Sequence, residues 1–128
     1  MNYNQLIANK ELNMNVKQAI IEVCVRKAEF ADQSMVKFVA KLNESPIYAL
    51  SWADTFLKVT TEKQLYSGLK TLLETTSLTM ADLEKEYMER LIRLSGSGVS
   101  SSDMSNVMTK VELAVTGEIL QMVSSFKD

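Results

Sequence analysis

Apolar residues recur every three or four positions along nearly the whole of this chain, and almost nothing breaks the pattern. Its 128 residues hold one proline and four glycines. That period marks amphipathic helices, each turning one stripe toward a core, and it leaves little support for strands. At 46% hydrophobic residues the chain has enough apolar surface to close a core. The expected fold is therefore all-α, a single compact bundle of five or six helices.

The few punctuation marks set the expected boundaries. A short first helix would hold Tyr3, Leu6 and Ile7 on one side. Asn13 then serves as the N-cap of a long second helix running to about Asn43. Its buried stripe would be Val16, Ile20, Val23, Cys24, Phe30, Met35, Phe38, Val39 and Leu42, with Lys17, Glu22, Arg26, Glu29, Lys37 and Lys41 mostly on the wet side. Ser45-Pro46 ends that helix and opens a third, carrying Tyr48, Trp52, Phe56 and Leu57. Thr61-Glu62-Lys63-Gln64 matches a capping box and opens a fourth, with Leu65, Leu69, Leu72 and Leu73. Thr79 caps a fifth, whose apolar positions are Leu83, Tyr87, Leu91 and Leu94.

Ser95-Gly96-Ser97-Gly98 is the sharpest break. It divides the chain into a helical body at 1–94, a Ser/Gly-rich loop or tether at 95–102, and a C-terminal amphipathic helix at 103–128 capped by Ser101 or Ser102. Met104, Met108, Val111, Val115, Ile119, Met122 and Phe126 step by three or four along that last helix, and Val107, Leu120 and Val123 widen the stripe. A stripe this wide suits an apolar groove better than the narrow seam of a two-stranded coiled coil. Gly117 costs the helix roughly 1 kcal/mol relative to alanine and would mark a close helix approach. Three readings of the break stay open: an ordinary interhelical loop, a hinge that lets the last helix swap between protomers, or a flexible tether joining a receptor to a partner's helix.

Composition removes several chemistries. Histidine is absent, so there is no imidazole base or ligand, and no Ser–His or Cys–His pair. One cysteine cannot form an internal disulfide or a multi-cysteine zinc site. No cofactor or metal is expected. The formal charge of −2 gives no general attraction to nucleic acid or an anionic membrane, and the acidic excess lies in the second half. Met1-Asn2-Tyr3-Asn4-Gln5 has neither the basic region nor the apolar run of a secretory signal, and no stretch approaches the ~20 apolar residues of a membrane span. The expected location is cytoplasmic.

The remaining candidates have structural readings. Cys24 lies on an apolar stripe, mid-helix, and reads as a small buried hydrophobe. Asp82, Glu84, Glu86 and Glu89 alternate with Lys85, Arg90 and Arg93, giving i,i+4 pairs on a solvated face. Di-metal helical sites need Glu-x-x-His pairs, which this chain cannot supply. Tyr48, Trp52 and Phe56 form an aromatic triad that reads as core or as a partner hot spot, and the eight methionines include three on the last helix. The run Leu72-Leu73-Glu74-Thr75-Thr76-Ser77-Leu78-Thr79-Met80-Ala81-Asp82-Leu83 resembles a helix-turn-helix corner, spanning residues 65–94. That resemblance implies a transcriptional regulator, but Asp82, Glu84 and Glu86 at the start of its second helix would repel phosphates.

The function expected from these residues is a small non-enzymatic interaction protein that holds an amphipathic helix in an apolar groove, as an adaptor, a chaperone-like carrier or a host-factor binder. The anchors would be Met104, Met108, Val111, Val115, Ile119, Met122 and Phe126. The groove would draw on Val23, Phe30, Phe38, Trp52, Phe56 and Leu69. The occupant would be a helical segment of the chain itself, of a second protomer or of another protein, while nucleic acid and membrane are disfavoured as partners.

Overall fold

The computed structural model describes residues 13–96 and 103–126, with side chains described there except at 48–50 and 103–106. These residues form four long helices and no strand: α1 (Met14–Glu44), α2 (Ala53–Thr75), α3 (Met80–Ser95) and α4 (Asp103–Ser124). A six-residue helical segment, Pro46–Ser51, turns the corner between α1 and α2. Among the described residues the compact arrangement has four long helices, which does not match the expected five or six. The proposed helix at Tyr3–Ile7, the cap at Ser101 or Ser102, and the segment Ser97–Gly98 lie outside the described residues.

Most helix ends follow local chemistry. The Asn13 side chain accepts the Asn15 amide at 2.8 Å and starts α1. Thr79 Oγ1 accepts the Asp82 amide while the Asp82 carboxylate accepts the Thr79 amide, a reciprocal capping box that starts α3. At the start of the Ser-Gly break, the Gly96 amide donates to the Ile92 carbonyl at 2.9 Å and closes the last turn of α3.

The helix start expected at Thr61 does not form. Thr61 Oγ1 donates backwards to the Leu57 carbonyl at 2.8 Å, and Thr60 Oγ1 does the same to Phe56 and Leu57 at 3.0 Å. A threonine bonded to the preceding turn is a helix-interior residue, not a cap. Thr61 and Glu62 are both buried there. The chain accordingly runs through 61–64 as one helix of 23 residues.

Cross-helix contacts fix the directions. Asp32–Lys63 and the Phe38–Phe56 ring stack join α1 and α2 in antiparallel register. Ser124 bonded to Glu84, with Leu91 beside Gly117, does the same for α3 and α4. The core lies where all four helices overlap: Ile20 and Cys24 from α1, Tyr66, Leu69 and Leu73 from α2, Leu83 and Tyr87 from α3, and Val115, Ile119 and Val123 from α4.

The overlap is partial because the helices differ in length. The 31 residues of α1 span about 46 Å, whereas the 16 residues of α3 span about 24 Å. Beyond Ala31 only part of the apolar surface of α1 is covered, with Met35 and Phe38 half-buried. Val39 and Leu42, expected in the core, are 52% and 45% exposed, and Ile47 just past the corner is 81% exposed. Phe30 is corrected likewise, at 58% exposed. A Cβ on Gly117 would meet only Leu91 Cδ2 at 3.9 Å, an ordinary contact, so no close approach demands glycine there. Among the described residues no helix is long and apolar enough to cross a membrane.

Candidate functional site

The strongest candidate is the seat of α4. Val115, Ile119 and Val123 repeat every four residues and are fully buried, while Val111, Met122 and Phe126 pack half-buried against the same core. Burial fades toward the helix start: Met108 is 45% exposed, and the Met104 side chain lies outside the described residues. Of the expected groove residues, Leu69 is fully buried and Val23 packs against the core. Phe38 and Phe56 instead stack on each other, ring centroids 4.4 Å apart, with Trp52 half-buried at the corner preceding α2. The seat also uses Tyr66, which the leucine pattern of α2 hid because the hydroxyl marks tyrosine as amphipathic.

A polar cluster ties α4 to α1 and α2, in addition to its packing against α3. Glu118 of α4 accepts hydrogen bonds from Tyr66 Oη of α2 at 2.9 Å and Lys27 Nζ of α1 at 3.0 Å. Burial pushes the Glu118 carboxyl up, but the bonds from Lys27 and Tyr66 outweigh it and leave the group below its usual range. Burial, helped by the Glu118 bond, raises the Tyr66 hydroxyl far above the ordinary tyrosine range. Glu62, one turn before Tyr66, is only 5% exposed, and Lys58 Nζ stands 3.9 Å away. Burial is the main cause that lifts its pKa, opposed by Lys27 and Lys58 and reinforced by Glu118. The cluster is charge-balanced, with two lysines facing two glutamates.

This chemistry locks helices together. It holds no activated nucleophile: the Cys24 thiol is buried and pushed up to about 11, chiefly by desolvation. Three of the four α3 carboxylates have structural partners, and Glu89 does not form the expected pair with Arg93. Asp82 caps the helix, Glu84 accepts from Ser124, and Glu86 pairs with Arg90 at 2.9 Å, whose guanidinium lies 4.7 Å from the centre of the Tyr87 ring. Tyr87 itself buries a hydroxyl with no hydrogen-bond partner, and desolvation lifts its pKa to about 12. Among the described residues no group of three or more His, Cys, Asp or Glu could hold a metal ion.

A second feature lies on the outer flank of α1. Val23, Arg26, Lys27 and Phe30 line an open depression of about 490 Å³. Two of the expected groove residues, Val23 and Phe30, thus meet on the surface flank of α1, where two cations accompany them.

The chain matches no protein-family model, no curated protein and no solved structure.

Proposed function

We propose that this chain is a small non-enzymatic interaction module whose helical body seats an amphipathic helix, with α4 as the occupant. The observation that carries the reading is the α4 face at Val115, Ile119 and Val123, fully buried along one line and anchored at Glu118 by Lys27 and Tyr66. This is the helix-in-groove mode, with apolar anchors at helical spacing and one polar contact that fixes register. The start of α3 weighs against DNA reading at residues 65–94, because Asp82 there is a capping carboxylate.

Splitting the chain between Gly96 and Ser97 tests the reading. Residues 1–96 and 97–128 expressed together should co-purify one to one and melt in a single transition. The reading fails if residues 1–96 alone melt as sharply as the whole chain and ignore the added helix.

A further inference from the structure

Val111, Val115, Ile119 and Val123 follow one another along α4 at four-residue steps, and the last three are fully buried. Such a stripe fits its groove in more than one place. A slide of α4 by one turn, about 6 Å, would put Val111, Val115 and Ile119 where Val115, Ile119 and Val123 now sit. Branched apolar side chains would replace branched apolar side chains, with little change in the area buried. The α3 stripe repeats in the same way at Leu83, Tyr87 and Leu91. The Glu84–Ser124 bond ties α4 to α3, but it does not fix that pair against α1 and α2.

Glu118 does not repeat. One turn earlier on its row is Ala114, and one turn later is Met122. Glu118 accepts from Lys27 of α1 at 3.0 Å and from Tyr66 of α2 at 2.9 Å, so it meets both helices across the groove. Take its carboxylate away, and Lys27 and Lys58 face Glu62 alone, beside the hydroxyl of a tyrosine only 1% exposed. Lys27 calls for an anion and Tyr66 for an acceptor. A carboxylate satisfies both, an amide only the hydroxyl, and alanine neither. A polar group that finds its partners at one position alone sets helix register where apolar contacts do not.

We propose that the groove selects its helix by this carboxylate, and that Glu118 is the residue that decides which helix sits there and in which register. The occupant it accepts carries three branched apolar anchors at four-residue spacing and a glutamate immediately before the middle one. The anchors supply adhesion, and the glutamate supplies the choice. This rests on α4 being the occupant of a groove, and it adds what that groove requires of a helix.

The test uses the full chain, read by methyl NMR of its methionines and by urea unfolding. Wild type should give one set of Met108 and Met122 signals. Glu118→Ala should give a second set for these two α4 methionines, from the slid register, while Met35 of α1 keeps a single signal. Its folding equilibrium should fall about tenfold. Glu118→Gln keeps the shape and the acceptor for Tyr66, so it should show a weaker second set and a smaller loss, and it serves if Glu118→Ala does not fold. Glu118→Ala/Gln121→Glu returns the charge to the exposed side of α4 and should not rescue. Lys27→Met combined with Glu118→Ala should cost less than the sum of the two single changes. One set of Met108 and Met122 signals at wild-type positions in the Glu118 variants overturns the proposal. So do additive losses in the double variant, or rescue by Gln121→Glu. If the proposal is overturned while the split halves still reassemble, this inference falls and the groove reading stands.

Discussion

Val115 and Met108 lie on the same face of one helix, two turns apart, and meet opposite fates. Val115 sees no solvent, while Met108 is nearly half exposed. Nothing in their spacing separates them. The difference comes from their neighbours: Val115 lies where all four helices overlap, and Met108 lies past the reach of the shorter ones. The same contrast runs along α1, buried at Ile20 and Cys24 and exposed at Val36, Val39 and Leu42. Helical period decides which way a side chain points, but partner length decides whether anything is there to receive it.

Aspartate at the two α4 positions should give the widest split. Val115→Asp buries an unpaired charge and should cost about 3–5 kcal/mol in urea unfolding, whereas Met108→Asp should stay within about 0.5 kcal/mol. Equal losses would break the distinction between the covered and uncovered ends. Next in size, Tyr66→Phe removes one of the two bonds held by Glu118 and should cost about 1–2 kcal/mol.

Glu62 sharpens the comparison by pH, because it is a buried carboxylate near the border between the ends. Its folded pKa lies above the unfolded value of 4.5, so the folded state binds this proton more tightly. Its contribution is complete below 4.5 and is lost as pH rises through the folded value. Glu118 works the other way. Its lowered pKa contributes stability above 4.5 that is lost as pH falls through its folded value. Glu62→Gln should therefore raise stability at pH 7 by about 1 kcal/mol, and the gain should shrink as pH falls through the folded value. A gain that does not depend on pH would disprove this assignment. Smallest of all, Gly117→Ala should add about 0.5–1 kcal/mol, since its methyl meets only Leu91 at ordinary distance. A loss on thermal melting would mean a tight approach after all.

Much of the fold was legible because it is local. Asn13, Pro46 and Thr79 each act within a few residues of themselves, and each marks a boundary that is observed. Val115 and Ile119 were legible as buried positions for the same reason, since their period is written in consecutive turns. Thr61 misled because a Thr-x-x-Gln string suits a cap only if the preceding turn is not helical, and here it is. Phe30 misled because it turns onto the outer flank beside the buried Ala31, and Val39 because the relative lengths of α1 and α3 are not a property of any one helix. The Lys27–Tyr66–Glu118 cluster left no trace at all, because it joins residues from three separate helices.

The antiparallel register of α1 and α2 also bears on the order of assembly. Asp32 and Lys63 are 31 positions apart in sequence, Tyr66 and Glu118 are 52 apart, and Lys27 and Glu118 are 91 apart. Leu91 and Gly117 of α3 and α4 are only 26 apart, so each hairpin closes at less cost in chain entropy than the contacts between them, and docking of α3–α4 on α1–α2 should come last. Weakening a contact between the two pairs, as in Tyr66→Phe, would then mainly hasten unfolding, which stopped-flow chevrons would reveal. The contacts that join the two hairpins are thus also those through which the core first lets go.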